Sequence, residues 1–414
     1  MNAPIEVHVD IGGVTRRAGT LYAHTGRSNA ATFLYDDRYL AAPDAYALDP
    51  GMPLTSGQFQ TRAGQAMFGI FADSAPDRWG RTLIQRATKH QASAARTPAL
   101  RLAEVDYLLG VRDDLRQGAL RFRAEGAGPF LADDELGVPP LAQLPQLLAL
   151  ATSAEAGTAN LDDLRRLVHV GSSLGGARPK THVTSVDGRI AIAKFPSSST
   201  DTWNVMAWEK VAHDLAHQAG IHVPQSLLLE IEGRSVHVID RFDRVDGQRV
   251  GYASAMTMLE AADGDRRSYL DIAAVIEERS PRATEELHQL WRRMAFSVLI
   301  SNTDDHLRNH AFLHVGGDKW QLSPAFDINP NPEPGPKELS CAIDEYDSAA
   351  TVTNLYNVRE YFRLNAASAR AMLTDVVTAT QRWREVARHL GLSGAEIEQM
   401  APAFEHPEAK AAAE

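Results

Sequence analysis

The segment from residue 301 to residue 330 constrains this chain more than any other. Its sequence is SNTDDHLRNHAFLHVGGDKWQLSPAFDINP, and it follows apolar residues at helical spacing. Asp304 stands five residues before Asn309 in a polar stretch. Two short apolar runs separated by Gly-Gly-Asp, between residues 311 and 322, predict a β-hairpin. Asp327 follows directly, so the hairpin would bring polar side chains from both flanks to one end of the ribbon.

This order of residues has a known chemical use. An Asp and an Asn in one loop, a hairpin, and then a second Asp is the layout with which kinases complete a phosphoryl-transfer site. The first Asp orients the attacking hydroxyl and accepts its proton, while the Asn and the second Asp hold Mg²⁺ against the triphosphate. Asp and Asn are also common in turns because they bond their own backbone. The pattern alone therefore leaves a structural interpretation open.

Length and charge limit the alternatives. A chain of 414 residues can bury a large core and is expected to hold two or three domains. The net charge of −11 and the pI near 5.8 argue against nucleic acid as the main ligand. The single cysteine, Cys341, excludes an internal disulfide and fits a reducing cytosol. The sequence predicts neither a signal peptide nor a membrane helix. We therefore expect a cytoplasmic globular protein.

The N-terminal part changes character near residue 60. Residues 4–60 alternate polar and apolar positions and predict a small all-β unit, whereas residues 60–109 have helical periodicity. The string ADSAPDRWG, residues 72–80, contains a helix start, with Ser74 able to cap and Pro76 suited to the first turn. We assign this string a structural role.

Beyond this region, a short strand is predicted at residues 118–122. Residues 124–140 are rich in Gly, Pro and acidic side chains and are the best linker candidate. The Ala-rich residues 408–414 predict a frayed tail. Helices are predicted at residues 141–150, 160–167 and, for the most part, 352–392.

A glycine-rich stretch, GSSLGGARPK, occupies residues 171–180. Three glycines and two serines make a flexible loop whose backbone N–H groups can approach an anion closely. It is not a Walker A motif, because no Gly directly precedes Lys180. A plain surface loop is the alternative.

A strand lysine follows this loop. Two strand patterns are joined by Asp187-Gly188, a strong hairpin signal, and Lys194 shares one face with Ile190 and Ile192. A lysine on an apolar face needs a carboxylate or phosphate partner unless it extends to solvent at an edge. The next helix pattern carries Glu209 at the margin of its apolar stripe. Glu209 could therefore meet Lys194, as the helix Glu does in protein kinases, or remain solvated.

The following hairpin pattern, residues 225–240, ends where a strand would leave one lobe and enter the next. In kinases the backbone at this point binds adenine. Asp240, Arg241 and Phe242 are therefore candidates for a hinge, although their spacing alone is not diagnostic.

Five ordered strings, GSSLGGARPK, IAKFP, VIDRFDR, NTDDHLRNH and LSPAFD, together resemble the HipA-type serine/threonine kinase toxins of bacterial type II toxin–antitoxin systems. The resemblance extends from about residue 5 to about residue 390. It implies an α+β, bilobal fold with a protein-kinase/PI3/4-kinase-like core, a small N-terminal β unit and a mostly helical C-terminal lobe. The expected divisions are 1–125 for the N-terminal region, 145–245 for the N-lobe-like part, 246–395 for the helical lobe with the catalytic loop, and 396–414 for a tail.

The resemblance also implies roles for individual residues, with ATP and Mg²⁺ as cofactors. Asp304 would be the catalytic base, Asn309 and Asp327 the magnesium ligands, and Glu209 a support for Lys194, which would bind the α- and β-phosphates. The nucleotide would be covered by Gly175, Gly176, Ala177, Arg178, Pro179 and Lys180, with His306 near it, and adenine would be held by Asp240, Arg241 and Phe242. Ser173 matches the autophosphorylation site, where a phosphate dianion would repel ATP.

The family implies partners as well. These are a HipB-like helix-turn-helix antitoxin, operator DNA only indirectly through the antitoxin complex, and a protein substrate for which glutamyl-tRNA synthetase is the family precedent. No membrane contact is implied. The chain departs from the general protein-kinase pattern in three places: Asn302-Thr303 replaces His-Arg before Asp304, no Gly follows Asp327, and Arg178-Pro179 precedes Lys180.

Two other functions remain open from the sequence. One is a degenerate kinase that binds nucleotide and acts by forming a complex with a DNA-binding partner. The other is a metal hydrolase using Asp304, Asp305, His306 and His310, which would require a helix through this loop.

Overall fold

A computed structural model describes residues 4–25, 29–126, 128–130, 137–171 and 176–414. Ser173 and Gly175, together with part of the predicted linker at 124–140, lie outside the described residues. The chain has the predicted α+β architecture, with small sheets and a largely helical C-terminal half. The domain divisions given above remain predictions.

The N-terminal region is built on an antiparallel sheet with the strand order β4-β3-β2-β1-β5. Its elements are β1 (Ile5–Ile11), β2 (Val14–His24), β3 (Ala30–Tyr35), α1 (Asp37–Leu40), β4 (Gln58–Gln60), α2 (Gly69–Asp73), α3 (Arg78–Ala94), α4 (Glu104–Leu109) and β5 (Leu120–Ala124). The strand predicted at residues 118–122 is therefore confirmed, and it pairs with β1 at the sheet edge. Val7 and Val9 of β1 are fully buried, as the alternating pattern predicts.

A second antiparallel sheet, with the order β6-β7-β9-β8, follows in the chain. The elements of this part are α5 (Leu144–Ala156), α6 (Leu161–Gly171), β6 (Lys180–Thr184), β7 (Ile190–Lys194), α7 (Val205–Gln218), β8 (Ser226–Ile231) and β9 (Arg234–Asp240). One sheet face, which includes Ala191, Ala193 and Val238, forms an apolar core with α5 and α6. That core also takes in Trp79 of α3, so the N-terminal region packs against this sheet.

The C-terminal half is mainly helical and carries the hairpin predicted from residues 311–322. Its elements are β10 (Arg244–Val245), β11 (Gln248–Arg249), β12 (Tyr252–Ser254), α8 (Ala255–Met258), α9 (Tyr269–Arg279), α10 (Ala283–Leu299), β13 (Ala311–Gly316), β14 (Lys319–Leu322), α11 (Val352–Val358), α12 (Ala366–Thr380), α13 (Trp383–His389), α14 (Gly394–Phe404) and α15 (Pro407–Ala411). Three short 3₁₀ turns lie at Leu141–Gln143, Leu307–Asn309 and Arg359–Phe362. The apolar stripe of α10, including Leu290, Trp291 and Met294, is fully buried and supports the loop that follows it.

The C-terminal residues are more ordered than the sequence predicts. Residues 394–411 form α14 and α15, and Met400 is fully buried. The ring of Phe404 stacks on Trp383 with centroids 4.8 Å apart, and the Glu408 Oε2 atom accepts a hydrogen bond from the Val352 N–H at 2.7 Å. The fraying expected for residues 408–414 is therefore wrong for residues 408–411, which α15 includes and the Glu408 hydrogen bond ties to Val352.

A buried ionic network joins the N-terminal region to the sheet that follows it. Asp243 pairs with Arg241 at 2.6 Å and with Arg244 at 2.9 Å, and it accepts a hydrogen bond from the Gly118 N–H at 2.7 Å. Burial alone would raise the pKa of Asp243, but the two guanidinium groups hold that pKa well below its usual range. Asp243 therefore stabilises the fold at neutral pH, and this contribution is lost as the pH falls below the ordinary range of Asp.

Among the described helices, none combines the length and the apolar character that crossing a bilayer requires.

Replacing Asp243 by Ala should destabilise the protein strongly, because it leaves Arg241 and Arg244 buried without their carboxylate. We expect a loss of about 3–5 kcal/mol in the free energy of unfolding, measured with urea at neutral pH. The control is Asp375→Ala, which removes an exposed ion pair with Arg292 and should change stability by less than about 1 kcal/mol. Equal losses in the two variants would contradict this interpretation of the network.

Candidate active site

Two lysines project from one face of the second sheet. Lys194 ends β7, and Lys180, at the start of β6, is its direct partner in the antiparallel register. Residues paired in this way point to the same side of a sheet. This side is opposite the face whose alanines pack on α5 and α6. The sheet therefore presents two ammonium groups to the space between the lobes.

Lys194 is held by two carboxylates. Its Nζ atom lies 2.5 Å from the Glu209 Oε1 atom and 2.8 Å from the Asp327 Oδ1 atom. Glu209 belongs to α7, and Asp327 follows β14, so three separate elements meet at one ammonium group. The side chains of Lys194 and Glu209 are only 12% and 4% exposed, which makes the pair a buried one. Glu209 thus meets Lys194, one of the two possibilities that its place on the helix allowed.

The charges stabilise one another. Burial by itself would raise the pKa of Glu209, but the Lys194 ammonium and the nearby His237 lower it to about 2. The Lys194 charge holds the pKa of Asp327 well below its usual range despite burial. Burial would in turn lower the pKa of Lys194, yet the two carboxylates raise it above its ordinary value. All three groups are therefore ionised at neutral pH.

The loop with Asp304 begins at a left-handed residue, Ser301, with φ of 55°. Asp304 itself is exposed at the surface of the cleft, whereas its neighbour Asp305 turns inward. The buried Asp305 carboxylate accepts hydrogen bonds from Tyr269 and Ser297 and lies 3.0 Å from the His310 Nε2 atom. The inward residue thus anchors the loop and leaves the outward one facing the cleft.

Asn309 is tied to the same loop. It closes the 3₁₀ turn Leu307–Asn309, and its Nδ2 atom donates to the Asp304 carbonyl at 3.0 Å. Desolvation raises the pKa of the Asp304 side chain; His306 opposes this shift and the charge of Asp327 adds to it. Asp304 is therefore a stronger base than a fully solvated aspartate.

Asp327 adopts the left-handed region with φ of 57°, a conformation that needs support from its surroundings. The support comes from Asn329, whose Nδ2 atom lies 3.3 Å from the Asp327 Oδ1 atom. The backbone N–H of Asn329 donates to the side chain of buried Asn302 at 3.2 Å. These two asparagines link the Asp304 loop to Asp327. Sequence reasoning did not identify Asn329, although its position two residues after Asp327 was a usable signal.

The donor atoms suit a hard divalent cation such as Mg²⁺, which prefers oxygen ligands. The Asn309 amide nitrogen is already engaged, so its oxygen is the atom left to bind a cation. Asp327 uses Oδ1 for Lys194 and Asn329, and none of the hydrogen bonds found among the described residues involves its Oδ2. Asn309 and Asp327 therefore fit the predicted magnesium site.

The described end of the glycine-rich loop, residues 176–180, lies against this cluster. Burial and the neighbouring Lys194 charge lower the pKa of Lys180 to about 8. Arg178 pairs with Asp201 at 2.9 Å, and the Pro179 carbonyl accepts from the Phe195 N–H at 2.9 Å. Ala177 directly precedes these two anchored residues.

Gly176 has φ of 87°, and its N–H donates to Asp77 of the N-terminal region at 2.6 Å. The ADSAPDRWG string, to which the sequence assigned a structural role, therefore reaches the predicted nucleotide site.

Two of the hinge candidates, Asp240 and Arg241, are already bonded within the fold through both their backbone and their side chains. The backbone N–H groups of Asp240 and Arg241 donate to the carbonyls of Gln225 and Ile190, at 2.9 and 3.2 Å. The Arg241 side chain belongs to the buried network with Asp243, while the Asp240 side chain pairs with Arg189 at 2.6 Å.

Phe242 contacts the residue that precedes Asp327. Its ring lies 5.4 Å from that of Phe326, the residue directly before Asp327. Phe242 is thus the hinge candidate whose side chain is connected to the rest of the site.

The fold separates the four residues that a metal-hydrolase site would need. Asp305 and His310 are buried together, whereas Asp304 and His306 are exposed at the cleft. A helix through this loop, which the hydrolase interpretation required, is replaced by turns and the 3₁₀ turn Leu307–Asn309. Among the described residues, no group of three His, Cys, Asp or Glu side chains has a metal-binding arrangement. The geometry favours the kinase-like arrangement.

Glu209→Gln should reduce stability in a pH-dependent manner. Because the folded pKa of Glu209 is lowered from 4.5 to about 2, its contribution is present above about pH 4.5 and is lost as the pH falls toward 2. We expect a loss of about 3 kcal/mol at neutral pH that shrinks markedly near pH 3, measured by urea unfolding. Glu285→Gln, which alters an exposed pair with Arg282, should have little effect at either pH. A loss for Glu209→Gln that is the same at both pH values would refute the ionic account.

Two family models match this chain. The family model for the HipA-like C-terminal domain matches residues 172–384, and that for the HipA N-terminal domain matches residues 9–105. A Haemophilus influenzae protein named "Putative kinase" is 28% identical over 134 residues, 28% of this chain and 39% of that relative's length. The chain therefore spans well under half of this curated relative.

A solved structure that aligns over nearly the whole chain shows the same fold. A chain of the Shewanella oneidensis MR-1 toxin–antitoxin complex of HipA, HipB and operator DNA aligns over 99% of this chain and 96% of its own length, with 14% identity and a TM-score of 0.66. The Helicobacter pylori proinflammatory kinase CtkA aligns over 57% of this chain and 89% of its own, with 16% identity and a TM-score of 0.45. Since the C-terminal family model alone matches more than half of the 414 residues, this chain belongs to the HipA family and has its bilobal kinase-like fold.

Proposed function

We propose that this protein is an ATP- and Mg²⁺-dependent serine/threonine kinase toxin that transfers the γ-phosphate to a protein serine and autophosphorylates at Ser173. The observation that carries the proposal is the Lys194–Glu209–Asp327 ionic cluster beside the Asp304–Asn309 loop. A buried lysine held by a helix glutamate and by an aspartate after a hairpin is the constellation that positions nucleotide phosphates in kinases.

The lysines supply the anion-binding charge. The ion pair with Glu209 fixes the position of the Lys194 ammonium group, so this group would already be oriented when phosphates enter. Lys180, opposite it on the adjacent strand, adds a second positive charge on the same sheet face. Gly176, Ala177, Arg178 and Pro179 would cover the nucleotide. Asp240, Arg241 and Phe242 would border adenine, and the Phe242 ring would make the main contact because the N–H groups of Asp240 and Arg241 already donate to Gln225 and Ile190.

Asp327 and Asn309 would hold Mg²⁺, which when bound neutralises charge on the β- and γ-phosphates. Asp304 would accept the proton of the substrate hydroxyl, and its raised pKa makes it a more effective base. The Asn309 hydrogen bond to the Asp304 carbonyl keeps base and metal ligand in one geometry. His306 is exposed and acts electrostatically on both Asp304 and Asp327, so it would lie near the nucleotide.

The partners follow from the family. The Shewanella oneidensis relative is described in a complex with HipB and operator DNA. We therefore include a HipB-like helix-turn-helix antitoxin in the proposal, with DNA contacted indirectly through that complex. The net charge of −11 is in keeping with DNA binding by the partner. The substrate class is a protein serine, glutamyl-tRNA synthetase is the first candidate to test, and the proposed location is the cytoplasm.

Asp304→Asn should abolish most phosphoryl transfer while nucleotide binding persists. The purified protein is incubated with γ-labelled ATP, Mg²⁺ and cell extract, and the label on Ser173 and on other proteins is followed. Removal of the base should slow transfer by roughly 10²–10⁴-fold. Asp318→Asn, an exposed change at the tip of the adjacent hairpin, should transfer as the wild type does. Wild-type protein that binds ATP but labels nothing would favour the degenerate-kinase interpretation instead.

Nucleotide affinity should fall as the pH rises through the Lys180 pKa of about 8. Lys180 is charged below that pH and neutral above it, whereas Lys194, whose pKa is raised, stays charged. We expect MgATP to bind roughly ten-fold more weakly near pH 9.5 than near pH 7, by calorimetry. Lys180→Arg should remove this dependence, because arginine remains protonated throughout. An unchanged pH profile in that variant would show that another group is responsible.

A further inference from the structure

The first turn of α3 is bonded directly to the loop proposed to cover the nucleotide. The Gly176 N–H donates to the Asp77 Oδ2 atom at 2.6 Å, and the Gly176 carbonyl accepts from the Trp79 N–H at 3.2 Å. The Trp79 indole N–H donates to the Lys180 carbonyl at 3.0 Å. Both backbone groups of Gly176 are therefore held by α3, which belongs to the N-terminal region.

The other end of the loop meets the same residue. Gly171 ends α6, and a Cβ atom there would lie 2.8 Å from the Lys180 carbonyl oxygen and 3.5 Å from the Trp79 indole nitrogen. Only a glycine allows so close an approach of backbone and ring. The Trp79 ring is 4% exposed and packs in the core that lies under the second sheet. Gly171 and Lys180, which border the loop, thus converge on one rigid side chain.

The Asp77 carboxylate accepts two distinct hydrogen bonds. Its Oδ1 atom accepts from the Arg78 N–H at 2.7 Å and caps α3, while its Oδ2 atom serves Gly176. A hydrogen bond from a backbone N–H to a carboxylate is stronger than one between neutral groups. Asp77 is also close enough to Lys180 and Arg308 to influence both charges electrostatically. The contact therefore lies at the charged cleft.

We infer that Asp77 and Trp79 are positioning residues that hold Gly176 and Lys180 in place for nucleotide binding, so that the N-terminal region is part of the nucleotide site. Ordering a glycine-rich backbone in advance lowers the conformational entropy lost when a ligand binds. The reciprocal bonds at Gly176 supply this order from outside the catalytic core. The inference rests on the proposed function, because it concerns the same nucleotide.

Asp77→Asn separates the helix cap from the contact to Gly176. Asn caps a helix as well as Asp does, so α3 keeps its cap. Its amide NH₂, however, would face the Gly176 N–H, donor against donor, and the contact to the loop is lost. We expect the Kd for MgATP, measured by calorimetry on the full chain, to rise roughly ten-fold. The thermal midpoint and kcat at saturating ATP should remain near the wild-type values. The matched control is Asp36→Asn, which alters the cap of α1 and should leave Kd unchanged.

Trp79→Phe provides a second test that keeps the ring in the core but removes the donor to the Lys180 carbonyl, and it should also raise Kd. If Asp77→Asn does not fold, the Kd of Trp79→Phe tests the inference. An unchanged Kd in both variants would overturn the inference, and so would a lower Kd, which would make the contact inhibitory. A parallel loss of thermal stability, kcat and affinity would reduce Asp77 to a structural residue. Failure of the wild type to bind MgATP at all would instead refute the proposed function.

Discussion

The ion pairing of one buried lysine holds the centre of this molecule together. The Lys194 Nζ atom lies 2.5 Å from the carboxylate of Glu209, which belongs to a helix, and 2.8 Å from that of Asp327, which follows the hairpin. A buried carboxylate or ammonium without a partner would be strongly destabilising, so each of the three elements is constrained by the other two. The relative placement of the two lobes at the cleft follows from this mutual requirement.

The rest of the site is arranged around that cluster by hydrogen bonds of asparagine residues. Asn329 supports the left-handed Asp327 and reaches Asn302, while Asn309 holds the Asp304 carbonyl. Such bonds are individually modest, but they are directional, and they transmit the position of Asp327 to the loop that carries the proposed base. The ionic cluster supplies the strength of the arrangement, and the asparagines supply its geometry.

Much of this could be predicted from local pattern. The hairpins, the strand lysine and the helix with Glu209 follow from periods of two and of 3.6 residues, which depend only on near neighbours in the chain. The contact between Asp77 and Gly176 joins residues 99 positions apart, and no periodicity encodes it. The same holds for the Arg241 side chain, which the fold commits to Asp243 and to the carbonyl of Leu115. The short helix α15 is likewise held by a distant contact, since Glu408 accepts a hydrogen bond from the Val352 N–H.

In the proposed function, the charge balance of the cluster would favour a cation that accompanies the nucleotide. Lys194 and Lys180 face Glu209 and Asp327, so these four side chains together carry no excess of positive charge. A triphosphate entering such a site would meet lysines that are already largely neutralised by carboxylates. A divalent cation bound by Asp327 and Asn309 would occupy one of those carboxylates and return part of the Lys194 charge to the phosphates. The Lys194–Asp327 ion pair and the proposed metal site therefore share one aspartate, which links the position of the lysine to that of the cation.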